Sequence, residues 1–236
     1  MKFRIDLKIF VLIILFFITN QIKIYAMIMI FAIIHELGHL MAGILLGMQP
    51  DKMEIRPFGV SIDFNIKKKD YNIKIKKGNL LELKKIWIAL AGPVMNVLLI
   101  IILFIPNIFN INENDKMLII FSNVTLIFFN ILPIYPLDGG RVLKGIIYLY
   151  KGKYKAEESI NTISYITLII LTAISSIAIL YLKNIAIFLV IMFLWGLQIK
   201  ENRVYENKKK LYEIAKKEIK SNNCKNVKIP IENKIN

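Results

Sequence analysis

The chain contains two histidines, and both lie in one pentad, His35-Glu36-Leu37-Gly38-His39, inside an apolar run from 22 to 48. Residues at i and i+4 of a helix stand about 40° apart around its axis, so both imidazoles face the same way. Two imidazoles on one face, a carboxylate beside them and one further ligand are the parts of an open zinc site of the hydrolytic kind, with Glu36 as general base. The setting adds weight. A charged side chain at the bilayer centre costs about 2.5–3.5 kcal/mol, so ionisable residues in an apolar helix call for a function or for partners.

The third ligand is found by elimination. No other histidine exists, and the single cysteine, Cys224, lies in the polar tail. Glu36 is the wanted base, and Asp6, Glu113 and Asp115 fall outside the apolar runs. Asp138 remains, in Asn130-Ile131-Leu132-Pro133-Ile134-Tyr135-Pro136-Leu137-Asp138-Gly139-Gly140-Arg141. Two prolines three residues apart break the helical ladder, and two glycines follow the aspartate. Irregular backbone at membrane depth is tolerated where it is buried in protein or lines a water-filled cavity. A plainer role for Asp138, capping a helix that begins at Gly139, is compatible with ligation. One zinc per chain is therefore expected on His35, His39 and Asp138. Such an ion polarises a peptide carbonyl and acidifies water. Glu36 would take the proton and return it to the leaving amine. Asn130, Tyr135 and Asn96 (in Ala91-Gly92-Pro93-Val94-Met95-Asn96) are candidate donors to the developing oxyanion, and either asparagine serves equally as an interhelical hydrogen bond.

These residues need elements to carry them. At 56% hydrophobic residues and a mean hydropathy of +0.54, the chain is not an ordinary soluble domain. Apolar runs at 9–19, 22–48, 86–106, 117–135, 159–182 and 184–199 predict an all-α polytopic membrane protein of about six transmembrane helices, the first and last short. The opening segment resembles a secretory signal but lacks a small-x-small cleavage site, so it reads as a retained helix. With the N-terminus inside, 29 of the 32 lysines and arginines fall on cytoplasmic segments. That bias places both termini in the cytoplasm. It also accounts for the net charge of +15 without nucleic acid, for which no reader motif is present.

Between the second and third runs, 58–64 and 71–75 alternate apolar and polar residues around a lysine-rich turn at 67–70, which reads as a small cytoplasmic β-hairpin. Its free edge could present an extended peptide to the site. Residues 1–200 are expected to form the membrane domain. Residues 201–236 form a basic tail, helical to about 220, with Val204, Leu211, Ala215 and Ile219 roughly on one face and suited to anionic lipid or a partner.

The three elements HELGH, AGPVMN and NILPIYPLDGGR, in that order, resemble the site-2 protease family of intramembrane zinc metalloproteases. The resemblance implies that His35, His39 and Asp138 bind zinc, that Glu36 is catalytic and that the substrate is a membrane-associated protein. Within the family the short plan is most similar to the stage IV sporulation protein FB group. That group removes the pro-sequence of a sporulation sigma factor in the mother-cell-derived membrane around the forespore, and inhibitory membrane proteins hold it in check. Two features set limits. No PDZ-like insertion separates the zinc elements, and the tail is too short for the CBS domain that many of the group carry. Two other readings are a site-2 protease of the bacterial cell membrane acting on another membrane-anchored regulator, and a zinc-binding transporter without hydrolysis. Glu36 favours hydrolysis, since pure binding needs no base beside the ligands. A catalytically dead scaffold is disfavoured because all four required side chains are present.

Overall fold

The computed structural model describes residues 2–5, 8–18, 21–56, 59–65, 75–105, 112–182 and 185–220. A strand β1 (Lys2–Ile5) precedes helices α1 (Lys8–Ile18) and α2 (Ile22–Leu45); strands β2 (Gln49–Arg56) and β3 (Gly59–Asn65) follow. Helices α3 (Ile75–Leu103), α4 (Glu113–Ile131), α5 (Asp138–Leu182) and α6 (Ile185–Lys220) complete the described chain.

Among the described residues three helices are long and apolar enough to cross a membrane: Ile22–Leu45, Asn79–Leu103 and Asp138–Ile177, the last interrupted at Gly152. The eleven residues of α1 rise about 16 Å, roughly half of a hydrocarbon core. Lipid-facing character is plain on α5, where Ile166, Ile170, Ile174 and Ile177, three or four residues apart along one face, are each more than half exposed. An apolar stripe with no protein over it is the pattern of a helix whose solvent is lipid. Two contacts fix relative directions. Lys23 pairs with Asp115 at 2.8 Å, joining the starts of α2 and α4. Lys84 donates to the Leu46 carbonyl at 2.8 Å, joining the start of α3 to the end of α2. So α2 and α4 run one way and α3 runs back against both.

The sheet differs from the expected hairpin. Strand β3 does fall on the predicted alternating segment, but it pairs antiparallel with β2 on its N-terminal side, in register Glu54↔Ser61. Strand β1 adds to β2 in parallel, Arg4↔Glu54. The second expected strand, at 71–75, lies outside the described residues except for Ile75, which opens α3. The alternation in β3 was readable locally; the choice of partner was not, because pairing is set by which edge the chain brings alongside. The N-terminal segment also begins with a strand rather than a helix, and the protein is therefore not purely α.

Two cores hold the helices. Phe31, Ala32 and Leu126 form one, across α2 and α4, with Leu99 of α3 packed against it. Ile134, Leu168 and Leu194 form the other, tying the segment before α5 to α5 and α6. Helix α5 is broken at Gly152, whose φ of 79° and ψ of 173° are non-helical. The stretch beyond the break runs back alongside the first, since the Tyr135 N–H reaches Ser164 Oγ at 3.0 Å. Helix α6 continues unbroken past residue 200, its end lying against the turn of α5 through an edge-on Tyr154–Tyr212 contact.

Candidate metal centre

His35 and His39 project from one face of α2 and are 3% exposed each; Asp138, the first residue of α5, is 5% exposed. Their Nε2 atoms both point at a single oxygen, Asp138 Oδ2, at 2.9 Å from His35 and 3.1 Å from His39. The other nitrogens point away and are separately engaged. His35 Nδ1 lies 3.2 Å from Asn96 Oδ1, and His39 Nδ1 lies 2.7 Å from the Ile88 carbonyl oxygen. Both outer acceptors lack protons, so each Nδ1 carries the hydrogen and donates it, and each Nε2 is left with its lone pair turned inward. This outer anchoring of imidazoles is characteristic of metal sites.

Two neutral nitrogens and a carboxylate are a donor set for zinc. The ligand atoms lie within 4.8 Å of one another. Ligands about 2.0–2.1 Å from a tetrahedral zinc sit roughly 3.3 Å apart, a few tenths of an ångström from the two His–Asp138 separations. The residues present therefore fit the ion.

Helix α3 packs directly against the rings. A Cβ at Gly92 would fall 2.5 Å from His35 Nε2 and closer still to His39 Nε2, so only glycine lets the helix approach. Gly38 on α2 plays the reciprocal part, since a Cβ there would come within 2.9 Å of the Ala91 carbonyl oxygen. Pro93, inside α3, deletes one ladder hydrogen bond next to this contact. The backbone of α3 thus serves as both wall and acceptor.

Delivery of Asp138 depends on the residues before it. Ile134 is fully buried against Leu168 and Leu194, and Leu137 N–H closes a turn onto the Ile134 carbonyl at 2.8 Å. The fixed Tyr135 N–H bond to Ser164 holds the same loop from the other side. Gly140 lets α5 start against this loop, for its Cβ would fall 2.5 Å from the Ile134 carbonyl oxygen. The second carboxylate oxygen of Asp138 faces Arg141 Nη1 at 3.8 Å.

Of the residues singled out in the sequence, His35, His39, Asp138 and Asn96 are brought together. Glu36 is half-buried, within Coulombic reach of His39 and Asp138, and makes no hydrogen bond among the described residues. Asn96 sits behind the ring of His35, its Oδ1 turned to Nδ1, while its fully buried Nδ2 has no partner among the described residues. Asn130 is half-buried with no hydrogen-bond partner among them. Tyr135 is tied by its backbone to Ser164, and its ring carries the Lys144 ammonium at 4.4 Å. Sequence reasoning missed the Ile88 carbonyl, which leaves no trace in residue type, and Gly92, whose only signal is a glycine beside a proline in an apolar helix.

Comparison with known proteins followed the same elements. The match to Peptidase family M50 covers residues 23–112 and 110–174. The chain is 25% identical over 126 residues to Stage IV sporulation protein FB of Bacillus subtilis, covering 53% of this chain and 40% of that one. It is 27% identical over 203 residues to a zinc metalloprotease of Methanocaldococcus jannaschii, covering 84% and 55%. The chain thus spans about half the length of the curated relatives it matches. The solved structure of the Site-2 Protease from Methanocaldococcus jannaschii superposes with a TM-score of 0.59 at 25% identity, over 82% of this chain and 85% of that one.

Proposed function

The chain belongs to Peptidase family M50, the site-2 protease family, and on that premise we propose that it is an intramembrane zinc metallopeptidase cutting a membrane-associated regulatory protein near the cytoplasmic face. The observation that carries this reading is the convergence of both Nε2 atoms on Asp138 Oδ2, with both Nδ1 atoms engaged elsewhere. That geometry supports His35, His39 and Asp138 as ligands of one zinc ion. When bound there, zinc supplies Lewis-acid polarisation of a carbonyl and an acidified water.

The remaining chemistry belongs to the chain. Glu36, next in sequence to a ligand and not hydrogen-bonded, accepts the proton of the attacking water and returns it to the leaving nitrogen. Asn96 and the Ile88 carbonyl hold the two rings in one tautomer and orientation. Glycine at 92 leaves open the space next to both Nε2 atoms, which any side chain would fill. Strand β3 has an edge not covered by another described strand, and Phe64 docks its end onto α2, where a Cβ at Gly43 would collide with the ring. Gly43 is one turn past His39, so a substrate strand added to that edge would run beside the site.

The narrower reading is a sporulation pro-sigma factor as substrate, supported by the likeness to Stage IV sporulation protein FB. Six spans, cytoplasmic termini and inhibitory membrane partners belong to the same reading, the first two supported by the apolar runs and the positive-inside bias. Co-expression of the full chain with a candidate pro-sigma factor tests it. The pro-segment should be lost with the wild type and retained with Glu36→Gln. Removal by both would refute Glu36 as the base, and removal by neither would discard this substrate.

A further inference from the structure

A largely unused ammonium lies beside the metal-binding segment. Lys144 is six residues past Asp138 on α5, half-buried, with its Nζ 4.4 Å from the centroid of the Tyr135 ring. Among the described residues it makes no hydrogen bond and no ion pair. The acids nearest to it are spoken for or out of reach. Glu82 is held by Lys85 at 2.7 Å and Glu157 by Lys208 at 3.3 Å, while Glu201 interacts with Lys144 only beyond ion-pair distance. An ammonium carries three N–H donors, and the aromatic face satisfies none of them, so water or an acceptor from outside the chain meets them here.

The mount is rigid. Tyr135 belongs to the loop that delivers Asp138, its N–H is fixed to Ser164, and its neighbour Ile134 is fully buried. The cation therefore rests on the loop that delivers Asp138, with its donors unspent among the described residues. An acceptor from outside the chain, and an anionic one, completes it best.

Resting on the peptidase reading, we propose that Lys144, seated on the Tyr135 ring, is a subsite for an acidic side chain of the peptide substrate near the scissile bond. A carboxylate there gains a charge-assisted hydrogen bond in a half-buried setting, where such bonds are stronger than in bulk water. Specificity follows because an asparagine in the same place offers an acceptor without the charge.

The test uses the full chain in lipid nanodiscs and single-span peptides that differ only in carrying Asp, Asn or Lys at successive positions around the cut. Binding is measured with Glu36→Gln and turnover with the wild type. At one position the Asp peptide should bind about tenfold more tightly than its Asn twin. In Glu36→Gln/Lys144→Met that ratio should fall to about one, with Lys144→Arg in the same background restoring it and zinc content unchanged throughout. An Asp-to-Asn ratio unaffected by Lys144→Met would make Lys144 a hydrated structural lysine and overturn the assignment. Loss of zinc together with the ratio would overturn it too, marking Lys144 as support for the fold. If the Asp preference holds in binding but the wild type cleaves none of the peptides, the peptidase reading fails and the subsite stands.

Discussion

Two buried polar layers cross this protein, and they are finished differently. Around His35, His39 and Asp138 each ring nitrogen and the facing carboxylate oxygen have a partner. At the seam between α5 and α6, Gln198 donates to Asn161 and Asn161 to Asn202, yet Gln198 Oε1 and Glu157 Oε2 are buried without partners among the described residues. The first layer converges on a fixed point suited to an ion, with only Asn96 Nδ2 behind it unpartnered among the described residues. The second is held by looser pairs and leaves capacity for water or a visiting group. Burial of polar atoms alone thus does not define a site; what separates the two layers is whether the donors and acceptors converge on one place.

That contrast can be broken at several points. The largest effect is expected from Asp138→Asn, which removes the charge that both rings face; metal content by elemental analysis and peptide hydrolysis should be lost together. Normal zinc content in that variant would remove Asp138 from the ligand set. Glu36→Gln should instead keep the metal and lower turnover by about 10²–10⁴-fold, because only the proton carrier is removed. Asn96→Leu probes the support behind His35. It should weaken zinc affinity by about 10–100-fold in chelator competition, and Asn96→Asp, which keeps an acceptor, should lose less. The smallest effects belong to the second layer. Lys208→Met strands the Glu157 carboxylate and should destabilise the protein by about 1–3 kcal/mol in thermal unfolding, with zinc retained, whereas Glu157→Gln should cost less than that because no charge is left behind. Zinc loss in Lys208→Met would merge the two layers into one site.

The histidine pair was legible because helical periodicity is a local property: spacing by four on an apolar helix sets both rings on one side whatever surrounds them. Asp138 was legible for a different reason, since it is the one acidic residue at a break in an apolar segment. The β-hairpin was half legible. Alternation marked β3 correctly, but its partner is the preceding strand β2 rather than a following one, and the addition of β1 depends on contacts fifty residues apart, as in Arg4↔Glu54. The spans were blurred at α1, where an apolar run became a helix of eleven residues behind a short strand.

By itself the sequence determined which residues could hold a metal, the carboxylate beside them and the apolar helices that carry them, because residue type and period are enough to specify these. Only the tertiary structure decided which nitrogen of each imidazole faces inward. That choice is made by an amide 61 residues away and a backbone carbonyl 49 residues away, both on α3. The close approach of α3, allowed by glycine at 92, and the fully buried Ile134 that seats Asp138 are likewise long-range packing, set by shape complementarity between helices that no local pattern encodes.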